Sequence, residues 1–237
     1  MQYCCLGKYG PYPAAGGASS GHVVFQDGAA LVLDMGCGVC GRLLSVLEKQ
    51  KVCGVVLTHL HPDHYSDALV YAQLLAKCAE KPLPLYLPKA PVRVSSLLAD
   101  TGAFEVHYTE ELDKAACGPF TLRFAPTVHP LPGYAVRVEG GKTLAYTGDS
   151  VPTAALRAWA QNADVLLCDA PFTEQNVPSP SPHMTAGQAA EMAQKAGVKN
   201  LWISHIVPGS DETALLAEAK EKFENSEIVE EMNIKNL

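Results

Sequence analysis

The sequence contains no long uninterrupted apolar run. Although 48% of its 237 residues are hydrophobic, no apolar segment reaches the roughly 18 to 20 residues that span a membrane. The first residues, Met1 to Leu6, also lack the charged start and apolar stretch of a secretory signal peptide. These absences predict a cytoplasmic protein that does not bind membranes.

Runs of lysine and arginine are missing as well. The chain carries 18 basic and 25 acidic side chains, a formal net charge of −7 at pH 7. Proteins that grip long nucleic acids rely on clustered basic side chains. The composition therefore disfavours a broad nucleic-acid surface, although a local basic groove on an acidic protein is still compatible with it.

The eight cysteines do not form an evident disulfide framework. Cys53 and Cys168 lie in strand-like segments and Cys78 in a helix-like one, within a chain rich in core residues. Reduced thiols are therefore the better prediction. Cys37 and Cys40 form a single CxxC, which as a zinc knuckle would need a second ligand pair that the sequence does not offer.

Residues 1–237 are expected to form one globular domain of the α/β class, because strands alternate with helices and no low-complexity linker divides the chain. Helices are expected at Gly41–Gln50, Tyr65–Lys77, Val92–Ala99, Thr153–Gln161, Ala186–Ala196 and Glu212–Phe223. Strands are expected at Tyr3–Leu6, His22–Gln26, Ala30–Asp34, Val52–Leu57, Leu83–Leu87, Phe104–Tyr108 (an edge strand), Phe120–Ala125, Tyr134–Val138, Thr143–Tyr146, Val165–Cys168 and Leu201–Ser204. Long loops are expected at Gly7–Gly21 and Pro171–Pro182.

The most informative segment is Thr58–His64, with the sequence THLHPDH. It places four potential metal ligands within six residues, directly after the apolar strand Val52–Leu57. The carboxyl end of a strand in an open α/β sheet is where sites form. His59 and His61 would share one face, while Asp63 and His64 reach a second point, so the spacing suggests two metals.

Three later residues each follow a strand-like run and could complete such a site: His129, Asp149 and His205. Each also has a plain structural reading. His129 could be a solvated loop histidine, Asp149 a helix N-cap, and His205 a capping or core histidine.

These motifs, in this order, resemble the metallo-β-lactamase superfamily over nearly the whole chain. The resemblance rests on THLHPDH, His129, the YTGDS segment that contains Asp149, and ISH ending at His205. It is nearest to short-form ribonuclease Z-like hydrolases, through GPYPAAGG from Gly10 and HMTAGQAA from His183. The fold implied is an αββα four-layer sandwich with metals at the top edge of its two sheets.

The resemblance also implies a ligand set. His59, His61 and His129 would hold one metal, Asp63, His64 and His205 the other, and Asp149 would bridge them. Imidazole and carboxylate ligands favour two Zn2+, although Mn2+ or Fe2+ also suits such a site. Asp34 matches an aspartate that orients a histidine ligand, or it is a turn residue before Gly36.

The expected catalytic set is His183, Asp63 and Asp169. His183 matches the position of a general acid, because histidine can give a proton near neutral pH; otherwise it is a surface histidine before the helix cap Thr185. Asp169 stands where the family carries a glutamate that pairs with this histidine, so a shorter side chain puts that pairing in doubt. His22 and His107 are expected to be structural or solvated.

The function expected from the resemblance is a metal-dependent hydrolase, most simply a phosphodiesterase that attacks small or short phosphodiesters, cyclic nucleotides or RNA-related, with a metal-bridging hydroxide. Transfer RNA is a less favoured substrate, because only 19 residues separate His129 from Asp149 and leave no room for the inserted arm of ribonuclease Z. A homodimer is implied by the resemblance alone.

Two alternatives stay open. The same ligands serve thioester and lactone hydrolases of the superfamily, and an inert metal-bound scaffold or sensing module is the alternative from another class. A true β-lactamase is disfavoured, because zinc β-lactamases with this motif generally carry cysteine where Asp149 stands.

Overall fold

Two seven-stranded mixed sheets pack face to face, with helices on both outer surfaces. The computed structural model describes residues 1–237. This layering is the predicted αββα sandwich, and it confirms the expected fold class.

The first sheet has the strand order β14-β1-β2-β3-β4-β5-β6. Its strands β3 to β6 run parallel, while β14, β1, β2 and β3 pair antiparallel. The strands are β1 (Gln2–Gly7), β2 (Gly21–Gln26), β3 (Ala29–Met35), β4 (Lys51–Val56), β5 (Leu83–Leu87), β6 (Phe104–Tyr108) and β14 (Ile234–Asn236). The helices on its outer face are α1 (Val39–Val46), α2 (Pro62–Cys78) and α3 (Val92–Ala99).

The second sheet has the order β13-β12-β11-β10-β9-β8-β7, with β10 to β13 parallel and β7 to β10 antiparallel. Its strands are β7 (Lys114–Cys117), β8 (Phe120–Pro126), β9 (Tyr134–Gly140), β10 (Lys142–Tyr146), β11 (Val165–Asp169), β12 (Asn200–Ser204) and β13 (Ser226–Ile228). The remaining helices are α4 (Ala154–Trp159), α5 (Ala186–Ala196) and α6 (Glu212–Lys222). None of the six helices has the length and hydropathy that crossing a lipid bilayer requires.

The strand sequences distribute their side chains between two cores. In β3, Leu31 and Leu33 point into the layer between the sheets, whereas Ala30 and Val32 face the helices. In β11, Leu167 lies between the sheets and Leu166 faces α5. Side chains of a strand alternate between its two faces, so a strand that is apolar throughout can be covered on both sides.

The expected helix after the ligand motif begins three residues earlier than predicted, at Pro62 rather than Tyr65. Proline suits the first helical position, because its fixed φ matches the helix and its missing N–H has no partner there in any case. Asp63 and His64 therefore lie on the first turn of α2, and not ahead of the helix as the predicted start at Tyr65 implies.

Other boundaries differ by a few residues, and three strands were not predicted. Helix α1 spans Val39–Val46 instead of Gly41–Gln50, and α4 spans Ala154–Trp159. Strands β7, β13 and β14 have only three or four residues, too few for a periodic pattern. All eight cysteines are free thiols in this structure.

Leu31 is fully buried in the layer between the sheets. We expect Leu31→Ala to destabilise the protein by about 2 to 5 kcal/mol, because loss of the side chain leaves a cavity. The control is Leu44→Ala on α1, whose side chain is 48% exposed; it should change the free energy of unfolding by about 0.5 kcal/mol or less. Urea unfolding followed by circular dichroism measures both, and equal effects would contradict the packing described.

Candidate metal centre

The chemically reactive side chains lie where the carboxyl ends of both sheets meet. Asp34 closes β3, and the ligand motif follows β4. In the second sheet, Asp149 follows β10, Asp169 ends β11 and His205 follows β12. Parallel neighbours bring their carboxyl ends to the same edge of a sheet. Here two such edges are adjacent, because Tyr134 N of β9 donates a hydrogen bond of 2.8 Å to Thr58 O.

A first group of four side chains converges on one point: His59, His61, His129 and Asp149. His61 Nδ1 lies 2.9 Å from His59 Nε2 and 3.1 Å from His129 Nε2. Asp149 Oδ2 lies 3.5 Å from His59 Nε2 and 3.9 Å from His129 Nε2. Four ligand atoms placed tetrahedrally around one Zn2+ at 2.0–2.1 Å are about 3.3 Å apart, so these separations suit a single cation.

A second group shares Asp149 with the first. His64 Nε2 lies 3.3 Å from Asp149 Oδ1 and 3.5 Å from Asp63 Oδ2. His205 Nε2 lies 3.3 Å from Asp63 Oδ2 and 3.4 Å from Asp149 Oδ2. The two carboxylate oxygens of Asp149 therefore face different histidines, an arrangement in which one carboxylate could join two cations.

Buried atoms without partners test whether a cation fits. His64 Nε2 and Asp149 Oδ1 are both inaccessible to solvent, and neither makes a hydrogen bond within the protein. Burying polar atoms without partners costs free energy. A divalent cation would satisfy both, and the imidazole and carboxylate donors suit zinc. The residues present therefore fit a metal.

Asp34 fixes the orientation of the cluster from behind. Its Oδ1 accepts a hydrogen bond of 2.7 Å from Thr58 N, and its Oδ2 accepts one of 2.8 Å from Tyr146 Oη. Oδ2 also lies 2.8 Å from His64 Nδ1. With a hydrogen on Nδ1, His64 carries its lone pair on Nε2, the nitrogen on the side of Asp149 and the other ligands. Aspartates orient metal-binding histidines in this way. Of its two sequence interpretations, the orienting one agrees with these contacts.

His183 and Asp169 form a pair beside the cluster. His183 Nδ1 lies 2.7 Å from Asp169 Oδ2, which also accepts a hydrogen bond of 3.2 Å from Ser150 N. Asp169 Oδ1 lies 3.5 Å from His205 Nδ1. The shorter side chain of aspartate thus reaches the histidine, a contact that the sequence left in doubt.

The loop that carries His183 is closed at its base. Phe172 O accepts a hydrogen bond of 2.8 Å from Ala186 N. Glu218 of α6 accepts hydrogen bonds from Glu174 N at 2.8 Å and from Gly187 N at 2.7 Å. Glu218 thereby ties both ends of the loop to one helix. No local sequence pattern signals these contacts, because Glu218 lies 31 and 44 positions from its two partners.

The histidines differ in how readily they bind protons. Burial and the neighbouring His64 ring hold the pKa of His59 well below its ordinary value. Burial also lowers the pKa of His205, but the carboxylates of Asp149 and Asp169 outweigh it and raise that pKa to about 9. A proton on His205 thus offsets the negative charge of the neighbouring carboxylates, and a bound cation would displace that proton.

Two residues of the centre have left-handed backbone conformations that side chains rarely adopt. Asp34 has φ 59° and His205 has φ 60°. Such conformations cost free energy and persist where the surroundings hold them, typically at functional sites. Gly10 allows His205 its position, because a Cβ at residue 10 would lie 2.1 Å from His205 Nε2. This role was not predicted.

A pocket of about 320 Å³ opens onto the cluster. Its lining consists of acidic, imidazole and proline side chains, with neither lysine nor arginine among them: Pro11, His61, Pro62, Asp63, His129, Pro130, Asp149, Pro182, His183 and His205. This volume is at the lower end of the range for small-molecule sites.

The two histidines expected to be structural or solvated lie outside the pocket lining. His22 is buried against Tyr3, and His107 is half-buried beside Glu105.

Comparison with known proteins identifies the family. The pattern that defines the β-lactamase superfamily domain matches residues 31–206, a span that contains both groups of converging side chains. This chain belongs to the β-lactamase superfamily. The probable metallo-hydrolase YhfI of Bacillus subtilis (strain 168) is 30% identical over 236 residues, 96% of each chain.

Solved structures of superfamily proteins agree with this fold. The crystal structure of YhfI superposes with a TM-score of 0.91 at 27% identity, covering 99% of this chain and 98% of that one. Human tRNase Z, short form, superposes with a TM-score of 0.79 at 18% identity, covering 100% of this chain and 99% of that one, a likeness of fold alone.

A ribonuclease Z is also similar in sequence. That of Mycobacterium bovis (strain BCG / Pasteur 1173P2) is 28% identical over 245 residues, 88% of this chain and 86% of that protein.

The superfamily membership and the His/Asp cluster together make this protein a metal-dependent hydrolase related to ribonuclease Z-like enzymes. The His/Asp cluster is consistent with divalent-metal binding at this site.

We expect Gly10→Ala to weaken zinc binding by about tenfold or more, because the new Cβ displaces the His205 ring. Gly41→Ala on α1 is the matched control, since a Cβ there meets nothing within 4 Å. Competition with a chromophoric chelator measures zinc affinity, and circular dichroism checks the fold. Wild-type affinity in folded Gly10→Ala protein would show that His205 takes no part in binding.

Proposed function

We propose that this protein is a dinuclear metal-dependent phosphodiesterase that acts on small or short phosphodiesters, such as cyclic nucleotides or short RNA-related molecules. The observation that carries the proposal is the His183–Asp169 pair at 2.7 Å, whose His183 lines the pocket beside the ligand cluster. A hydrolase of phosphodiesters needs a proton donor for its leaving group, and this pair offers one.

Two divalent cations would occupy the two groups of side chains. His59, His61 and His129 would hold one cation, Asp63, His64 and His205 the other, and Asp149 would join them. Zinc suits this donor set best, with Mn2+ or Fe2+ as alternatives. Bound divalent cations supply Lewis acidity, which activates water and neutralises charge on a phosphoryl group.

His183 would protonate the departing alkoxide of the substrate. Its Nδ1 is held by Asp169 Oδ2, so the ring is fixed in one orientation and Nε2 is left to exchange a proton with a substrate. The ring lines the pocket, and its side chain is 17% exposed. Asp63 and Asp169 complete the proposed catalytic set, Asp63 through the position it gives His205 and Asp169 through His183.

Pocket size and charge support a small substrate. The pocket measures about 320 Å³, and four prolines wall it: Pro11, Pro62, Pro130 and Pro182. No cationic side chain lines it to hold the backbone of a long polyanion. The segment between His129 and Asp149 consists mainly of the β9–β10 hairpin, without an inserted arm. A cytoplasmic location and a homodimer stay predictions of the sequence analysis.

Two substitutions should separate the roles of the cluster and of His183. Asp149→Ala removes the joining carboxylate, so we expect loss of bound metal and nearly all turnover. His183→Gln should lower kcat by about 10² to 10⁴ with metal content unchanged, because only proton transfer is impaired. Metal analysis and phosphodiester kinetics on both variants test this.

The half-buried His107, which lies outside the pocket, provides the control. His107→Gln lies on β6, away from the pocket, and should keep wild-type turnover and metal content. If His183→Gln lost metal as Asp149→Ala does, His183 would be a ligand and not an acid. Wild-type turnover by metal-loaded Asp149→Ala would refute the shared-carboxylate scheme.

A substrate panel should order the candidate reactions. Bis(p-nitrophenyl) phosphate and cyclic nucleotides are expected to be hydrolysed faster, by kcat/KM, than a precursor transfer RNA is cleaved. Preference for the RNA would reverse the order, in keeping with the ribonuclease Z relatives. Turnover restricted to thioesters or lactones would replace the phosphodiesterase proposal, and inertness toward every class would favour a metal-bound scaffold.

A further inference from the structure

A second cleft lies between α4 and α5 and shares no lining residue with the metal pocket. Its volume is about 260 Å³. It is lined by the start of α4 and by one face of α5: Pro152, Thr153, Ala154, Arg157, Gln188, Glu191, Met192 and Lys195. We call it the Arg157 cleft.

Arg157 differs from the other four arginines of the chain. Arg42 pairs with Glu231, and Arg123 and Arg137 both pair with Glu139. Arg93 is exposed to solvent. Arg157 is half-buried. Its backbone N donates to Thr153 O, but its side chain makes no ion pair and donates no hydrogen bond to the protein. A guanidinium has five N–H donors and no acceptor, so this side chain calls for an acceptor from outside.

The cleft offers donors without matching acceptors. Gln188 Oε1 accepts from Thr185 N, which leaves the amide hydrogens of Gln188 available. Thr153 Oγ1 accepts from Leu156 N, which leaves its hydroxyl hydrogen. Glu191 supplies the lone carboxylate of the lining, and it is already paired with Lys195. Two cations against one anion give the lining a net charge of +1.

We propose that the Arg157 cleft binds a phosphate group of a small molecule, with the guanidinium of Arg157 as its principal contact. The planar fork of arginine matches two oxygens of a phosphate, and charge-assisted hydrogen bonds of this kind are the strong ones. Because Lys195 is paired with Glu191, the net positive charge of the lining is that of Arg157. Met192 and Pro152 provide an apolar wall for the rest of the molecule.

The phosphate can come from either of two sources. Pro152 follows Asp149 by three residues, so their Cα atoms are at most roughly 11 Å apart, and a substrate held in the metal pocket could place a second phosphate here. A separate phosphomonoester could also bind here on its own. The first source rests on the proposed phosphodiesterase function, whereas the second does not.

Protection of Arg157 from chemical modification tests binding directly. Zinc-loaded protein is treated with phenylglyoxal, with increasing inorganic phosphate or with sodium chloride at equal ionic strength, and peptide mass spectrometry reads each arginine separately. Phosphate should slow modification of Arg157 about tenfold at roughly ten times its dissociation constant. The exposed Arg93 is the internal reference. Equal slowing of both arginines, or none at Arg157, would overturn the proposal.

Matched substrates then identify the source. Thymidine 5′-(p-nitrophenyl phosphate) and its 3′-phosphorylated form differ by one phosphate. If the substrate supplies it, Arg157→Gln should raise KM about tenfold for the 3′-phosphorylated form and leave the other unchanged, with Arg93→Gln as control. If a separate ligand supplies it, the kinetics stay unchanged while phosphate still protects Arg157. Hydrolysis of neither substrate would defeat the proposed function but leave the protection result intact.

Discussion

The structure depends on how the charges of buried imidazoles and carboxylates are balanced where the edges of its two sheets meet. Each of five imidazoles and two carboxylates has a polar atom 2.9–3.9 Å from a polar atom of at least one other member. Several of these side chains are almost fully buried. His64 Nε2 and Asp149 Oδ1 lie 3.3 Å apart, and neither makes a hydrogen bond within the protein. Divalent cations would satisfy these atoms and neutralise both carboxylates, so metal binding and the local fold depend on each other.

The rest of the fold holds this cluster in place. Asp34 joins His64 and Tyr146, one from each half of the chain, and Thr58 connects the first sheet to β9 of the second. The left-handed backbone at Asp34 and His205 shows that packing around the centre outweighs a local conformational cost. The α/β sandwich therefore acts as a rigid frame whose exposed edge carries the chemistry.

Much of this could be predicted from sequence, for identifiable reasons. Strand β5 and helices α3 and α5 begin and end at the predicted residues, because their hydrophobic pattern and capping residues are local signals. Helix α2 begins three residues before the predicted Tyr65, because Pro62 suits the first helical position and brings Asp63 and His64 into the helix. Short strands such as β14 form only because a distant partner pairs with them, which no local pattern records.

Within the site, the residue types were predictable and their supports were not. The histidines and aspartates were recognised from a dense motif and from strand ends, and the structure brings all of them to one edge. Glu218 and Gly10 act through contacts with residues far away in the chain, and the Arg157 cleft exists only when α4 and α5 pack together. Such features depend on tertiary structure and produce no periodic pattern in the sequence.

We propose that the converging side chains bind two cations per chain. The metal content of purified protein tests this most directly, measured by inductively coupled plasma mass spectrometry after saturation with zinc and removal of free ions. About two zinc ions per chain are expected for the wild type. A ratio of one or less, in protein shown to be folded, would contradict it.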